Sequence, residues 1–193
     1  ECWLGGQAGA GGAVDVLFGD ADPGGRLAES IPEHVAQLPA DRNFPGHPRQ
    51  VEYREGLLVG YRFHDTAGVP ARFAFGSGLS YTTFEWTDIE LGGDGSDLEV
   101  SVTVTNRGDR PGSDVVQVYV RDPDSTVRRP HQELAGFAKV HLAPGASGSL
   151  SFTFIPTVDA AADAPTRYAI GGSLTYVDGG NTVVVPLLSN RIT

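Results

Sequence analysis

Between Leu98 and Asn106 the chain reads LEVSVTVTN, with Leu98, Val100, Val102 and Val104 on one parity and Glu99, Ser101, Thr103 and Thr105 on the other. A period of two with one apolar side marks a strand half buried in a sheet. The next residues, NRGDRPG, are turn-forming types. The pattern then recurs in DVVQVYVRD, in ELAGFAKVHL and, after the turn APGASG, in SLSFTFI. RYAIGGSLTYVD, GGN and TVVVPLL read as a closing hairpin. Val102, Val104, Val116, Val118 and Phe137 occupy the apolar phase of their strands and are the expected core.

Six strands at short spacing, with no helical pattern between them, predict an antiparallel β-sandwich of immunoglobulin or fibronectin type III-like architecture. It is assigned to residues 85–193. The chain ahead of it differs. Gly5 and Gly6 read as a loop; from about Ala8 to Phe18 the residues Ala10, Val14, Leu17 and Phe18 recur at helical spacing, and Gly19 stands at a C-terminal cap. A turn and a short strand ending at Pro32 follow. Residues 1–32 thus resemble the tail of an α/β unit, too small to bury a core alone. Residues 33–84 carry little periodicity and several prolines, with a short aromatic, β-prone piece in VEYREGLLVGYRF. Their aromatic content predicts an ordered linker. The fold class is therefore mainly β, with an α/β remnant and a long ordered linker ahead of the sandwich.

A net charge of −10 makes nucleic acid and anionic membranes poor partners. No apolar run approaches the roughly 18 residues of a membrane span. The lone cysteine, Cys2, can form no internal disulfide. The chain opens on ECWLGGQAG and contains no methionine, so its ends are expected to be cuts in a longer protein.

Candidate chemistry is sparse. The glycines at 5, 6, 9, 11 and 12 lack the spacing of a dinucleotide or phosphate loop and read as a turn into a helix. The histidines at 34, 47, 64, 131 and 141 show no zinc-ligand spacing, and each is expected at a surface or interface. His64 and Asp65 adjoin, but no serine or cysteine nucleophile sits in an elbow motif nearby. Arg107–Asp109 spells RGD, an adhesion tripeptide, at a place where a strand-to-strand turn belongs. Asp15, Asp20, Glu55 and Asp65 are the carboxylates set in apolar or aromatic surroundings, and no spacing marks two of them as a glycosidase pair.

Four stretches together resemble glycoside hydrolase family 3, the β-glucosidase and β-xylosidase family. WLGGQAGAGGAVDVLFGDADPGGRLAESIP, EGLLVGYRFHD and FAFGSGLSYTTF are similar to its signatures, in order. VTVTNRGDRPGSDVVQVYVRDPDSTVRRPHQELAGFAKVHLAPGAS resembles the start of its fibronectin type III-like domain. The match covers about residues 3–155 and departs from the family at Ala8 and in the last hairpin. The resemblance implies a retaining hydrolase whose Asp nucleophile lies on an N-terminal barrel and whose Glu acid/base lies in the α/β domain upstream. It implies no catalytic, cofactor-binding or metal-binding residue in this chain and no cofactor. Its partner would be the remainder of the parent glycosidase, which alone meets a β-glucoside-type substrate. In the family FAFGSGLSYTTF leads from the α/β domain into the sandwich, with its aromatics buried and Gly76 and Gly78 allowing bends. The alternative is a stand-alone carbohydrate- or protein-binding sandwich, for which the strands offer only Tyr119, Tyr168 and Tyr176, with Trp86 at the entry.

Overall fold

A computed structural model describes residues 1–47, 49–93, 97–154, 169–178 and 181–188, the last two segments as backbone. In chain order the elements are α1 (Gly9–Phe18), two 3-10 turns (Val35–Gln37 and Asp41–Asn43), α2 (Tyr61–Ala67), β1 (Phe84–Gly92), β2 (Leu98–Asn106), β3 (Gly112–Arg121), β4 (Glu133–Leu142), β5 (Ser147–Phe154), β6 (Ala169–Asp178) and β7 (Asn181–Leu188). One sheet has the order β1-β2-β5 and the other β4-β3-β6-β7. The fold is mainly β, and the pairings of β1 with β2, β3 with β6 and β6 with β7 are antiparallel. Pro186 lies on β7, an edge strand, where the ladder does not require the N–H that proline lacks. Ile155, Arg167 and Tyr168, at expected strand ends, lie outside the described residues.

The chain divides into two compact units. The first comprises Glu1–Gly25, Gly78–Val116 and Ala138–Thr153. Its core is built on Val102, Val104, Val116 and Leu142, with Phe84, Trp86, Val140, Ala146, Leu150 and Phe152 packed against them. Val102, Val104 and Val116 stand where the alternation placed them. β1 was not expected, because its alternation breaks. Trp86 pairs with Val104 and Thr87 with Thr103, but Glu90 pairs with Ser101, one extra residue on β1. Asp88 takes a φ of 52° at this bulge. Phe84 and Trp86 therefore face the core from even positions.

Helix α1 ends as expected: Gly19 takes a φ of 83° and its N–H donates to Val16 O. The helix buries no residue, and Leu17 and Phe18 are 79% and 81% exposed.

The second unit comprises Arg26–Ser77, Gln117–Phe137 and the described residues from Phe154 onward. Val118 is buried as expected, together with Tyr119 and Leu58. Phe137 is not core. It is 69% exposed, because β4 turns its even residues inward and Phe137 shares the outward parity of Lys139 and His141. The strand expected before Pro32 reduces to one bridge, Ile31 to Phe73. Around it Leu27 N donates to Ser77 O, Gly76 N donates to Leu27 O, and the Ser30 hydroxyl accepts from Phe75 N where a backbone carbonyl would serve in a regular ladder. VEYREGLLVGYRF is not β either. Its end is helix α2, framed by Gly60 at a φ of 57° and Gly68 at 64°, conformations that disfavour a side chain. Tyr61 on α2 lies 4.7 Å from the Phe75 ring and edge-on to Tyr119 at 5.8 Å.

Candidate functional site

Two polar constellations stand out, one in each unit. In the first, Asp22 gathers three segments. Its Oδ1 accepts from the Ser80 hydroxyl and from Tyr81 N, both at 2.7 Å, and its Oδ2 accepts from Ser113 N at 3.2 Å. Tyr81 Oη donates to Val16 O near the end of α1, and Arg110 lies over the Tyr81 ring while donating to Gly19 O. Asn106, fully buried, forms the adjoining node. Its Oδ1 accepts from Thr82 Oγ1 at 2.6 Å and from Gly108 N at 3.0 Å, and its Nδ2 donates to Arg110 O at 2.7 Å and Leu142 O at 3.0 Å. Four partners satisfy the whole amide, as burial demands.

This node explains the RGD residues. A β-carbon at Gly108 would collide with Thr82 Oγ1, so the glycine serves packing. Arg107 pairs with Glu85 at 2.5 Å, and the tripeptide lies in the β2–β3 connection. The second half of FAFGSGLSYTTF is thus held by Asp22 and Asn106. Phe73, Leu79 and Tyr81 of that stretch are exposed in this chain, whereas Thr82 is buried. Gly76 takes a φ of 79°, and a β-carbon there would collide with the Gln117 amide.

In the second unit α2 meets the β3–β4 loop. His131 N donates to Thr66 Oγ1, Gln132 Nε2 to Asp65 Oδ2, and Leu134 N to Tyr61 Oη. Burial raises the Asp65 pKa above its ordinary value, against the lowering effect of the Gln132 hydrogen bond. His131 is shifted down, by burial first and by the Arg121 charge second. Arg121 Nη2 lies 3.3 Å from His131 Nδ1. Arginine only donates, so Nδ1 is the acceptor and the proton of the neutral ring sits on Nε2. Burial also drives the Tyr119 hydroxyl upward; it donates to Gln117 Oε1. A cavity of about 390 Å³ opens here, lined by Thr66, Arg121, Asp122, Arg128, Arg129 and His131 among others.

The carboxylates and histidines singled out in the sequence differ in exposure and in partners. Asp15 and Asp20 are exposed, and Asp65 is engaged with Gln132. Glu55 Oε2 is buried with no hydrogen-bond partner among the described residues. Gly9, Gly11 and Gly12 belong to α1 itself, and Cys2 is exposed. His34, His47, His131 and His141 are exposed, with His141 Nδ1 3.0 Å from the Ser113 hydroxyl. His64, expected at a surface or interface, is not at the surface: it is buried, and its Nδ1 bonds Val69 O at 2.9 Å, which fastens the end of α2. Among the described residues no three His, Cys, Asp or Glu side chains gather as a metal site requires, and no helix is long and apolar enough to cross a membrane. Asp22 and Asn106 were not marked by sequence reasoning, since Asp before Pro-Gly and Asn before Arg-Gly read as ordinary turn residues.

Residues 1–81 match the family model described as the glycosyl hydrolase family 3 C-terminal domain, and residues 114–166 match that of a fibronectin type III-like domain. The thermostable beta-glucosidase B of Acetivibrio thermocellus is 50% identical over 157 residues. The chain belongs to glycoside hydrolase family 3. The motifs read in order identified the family correctly. That alignment covers 79% of this family 3 chain and 21% of the relative. An exo-alpha-(1->6)-L-arabinopyranosidase of Bifidobacterium breve is 43% identical over 152 residues, 78% of the chain and 20% of the relative. The chain thus spans about a fifth of the length of these curated relatives. Among solved structures, the family 3 beta-glucosidase of Bifidobacterium adolescentis superposes with a TM-score of 0.82 at 35% identity, covering 97% of the chain and 29% of that structure. Beta-glucosidase 3B of Thermotoga neapolitana, in complex with alpha-D-glucose, gives 0.79 at 33% identity, covering 96% of the chain and 28% of that structure.

Proposed function

We propose that this family 3 chain is the non-catalytic C-terminal segment of a retaining β-glycosidase of β-glucosidase type. On this reading a barrel and the rest of an α/β domain supply the nucleophile and the acid/base. The observation that carries the reading is the pair of family-model matches on one chain, the C-terminal domain over 1–81 followed by the fibronectin type III-like domain over 114–166. Geometry supports it. A retaining mechanism needs two carboxyl groups about 5–5.5 Å apart around one glycosidic bond. Asp22 instead ties together three segments, Asp114 accepts from the Trp86 indole at 3.0 Å, and Asp65 holds Gln132. The proposed segmentation is an α/β remnant over 1–32, a linker over 33–84 and the sandwich over 85–193. The exposed apolar residues Leu4, Leu17 and Phe18 suit a surface covered by the rest of the α/β domain.

A stand-alone carbohydrate-binding sandwich is not favoured. Tyr119 is buried, and Trp86 packs against the core with its indole N–H on Asp114, so neither offers a flat face to a sugar. The side chain of Tyr176 and all of Tyr168 lie outside the described residues. The test is to incubate the purified 193-residue chain with a panel of nitrophenyl glycosides, alone and with the separately expressed upstream part of the parent protein. Turnover on mixing only is the expected result. Turnover by the chain alone, abolished by substituting Asp15, Glu55 or Asp65, would overturn the proposal.

A further inference from the structure

We propose that the cavity between α2 and the β3–β4 loop binds an anionic monosaccharide, a sugar acid or sugar phosphate whose oxyanion is held by Arg121 and Arg128. The inference is independent of the glycosidase reading, since it concerns binding and no bond cleavage.

The lining offers donors more than acceptors. Three arginines, Arg121, Arg128 and Arg129, face one carboxylate, Asp122, in a chain whose net charge is −10. Arg129 is taken up by Glu133 at 2.8 Å. Arg128 is exposed and forms no ion pair among the described residues. Arg121 spends one N–H on His131 Nδ1 and keeps further donors on its planar fork. That contact orients the His131 ring with its remaining N–H on Nε2. The Thr66 hydroxyl accepts from His131 N and still has its own proton to give. Guanidinium groups suit planar or tetrahedral oxyanions because two N–H groups can engage two oxygens at once.

The size leaves room for an occupant larger than a bare ion. About 390 Å³ has room for about a dozen waters, and it falls within the range of about 300–1,000 Å³ of small-molecule sites. Pro123, Val127 and Pro130 add an apolar wall on which the C–H face of a sugar ring could rest. Asp122 stands ready to accept from sugar hydroxyls through whichever oxygen the cavity reaches; its Oδ1 is buried and accepts nothing among the described residues. Carboxylate and phosphate share the chemistry that this lining recognises, and the experiment separates them.

The 193-residue chain, labelled with ¹⁵N, is titrated with glucuronate, glucose 6-phosphate, glucose and inorganic phosphate at low salt while amide shifts are followed. Saturable shifts confined to residues around 65–66 and 121–131 are expected with one or both anionic sugars, and raised salt should weaken them. Arg128→Gln should weaken binding about tenfold, the effect of one lost charge-assisted hydrogen bond, and Arg128→Lys less. Unchanged spectra elsewhere show that each variant is folded. Equal binding of glucose, inorganic phosphate binding as tightly as glucose 6-phosphate, affinity unmoved by Arg128→Gln, or no saturable shift with either anionic sugar would each overturn the proposal.

Discussion

Removing the Asn106 side chain tests how the polar network under the β2–β3 connection stabilises the fold. In Asn106→Ala four hydrogen bonds disappear, two accepted from Thr82 Oγ1 and Gly108 N and two donated to Arg110 O and Leu142 O. The orientation of the amide is set by its backbone partners: only the oxygen can accept from Gly108 N–H, and only the nitrogen can donate to two carbonyls. Each lost bond costs about 0.5–1.5 kcal/mol, and a partner left buried and unpaired costs more. Asn106 has no exposed surface, so water cannot take its place without rearrangement. A loss of about 3–5 kcal/mol follows, a large share of the about 5–15 kcal/mol of a typical domain. Urea unfolding of the 193-residue chain, followed by Trp86 and Trp3 fluorescence, measures it, and a melting temperature lower by about 6–20 °C should accompany it. Asn106→Asp sharpens the test. A carboxylate of nearly the same shape faces two carbonyl oxygens and cannot donate, so near neutral pH it should cost at least as much as alanine. A loss below about 1 kcal/mol for both variants would show that the network adds little beyond filling space.

Val104→Ala removes a fully buried side chain from the core and should cost about 1–3 kcal/mol in the same assay, and a neutral result would refute its place there. His131 is held below its ordinary pKa of 6.5 by burial and then by Arg121, so the unfolded chain binds the proton more readily than the folded one. Stability must therefore fall as pH drops below about 6.5, and His131→Gln should flatten that slope relative to the parent chain. Asp65 acts with the opposite slope: its raised pKa means that the folded state keeps the proton longer, so stability declines as pH rises above 3.8, and Asp65→Asn should remove that decline. Asp109→Ala should leave unfolding nearly unchanged and alter no cell-adhesion readout. Integrin capture abolished by this substitution would show that the tripeptide does more than connect β2 to β3.

Much of this protein was legible in local pattern. The alternation around Val102 and Val104 specified β2 and its inward face, because period-two burial leaves its mark on every second residue. Gly19 announced the end of α1, since only glycine takes that left-handed turn without cost. The family was legible because four motifs occur in one order. Other features depended on contacts remote in sequence. β1 escaped notice because a single bulged residue at Asp88 reverses its parity. Phe137 pointed outward because β4 follows the phase of Val140 and Leu142, which its own hydrophobicity does not reveal. VEYREGLLVGYRF has the composition of a strand, yet its end forms α2 between two positive-φ glycines, with His64 buried against Val69 O. Asp22 and Asn106 look like turn residues in the sequence. Their importance arises where Ser80, Thr82, Ser113 and Leu142, between 24 and 91 residues away along the chain, converge on them, and a hydrogen bond between residues so far apart has no local periodicity by which to be read.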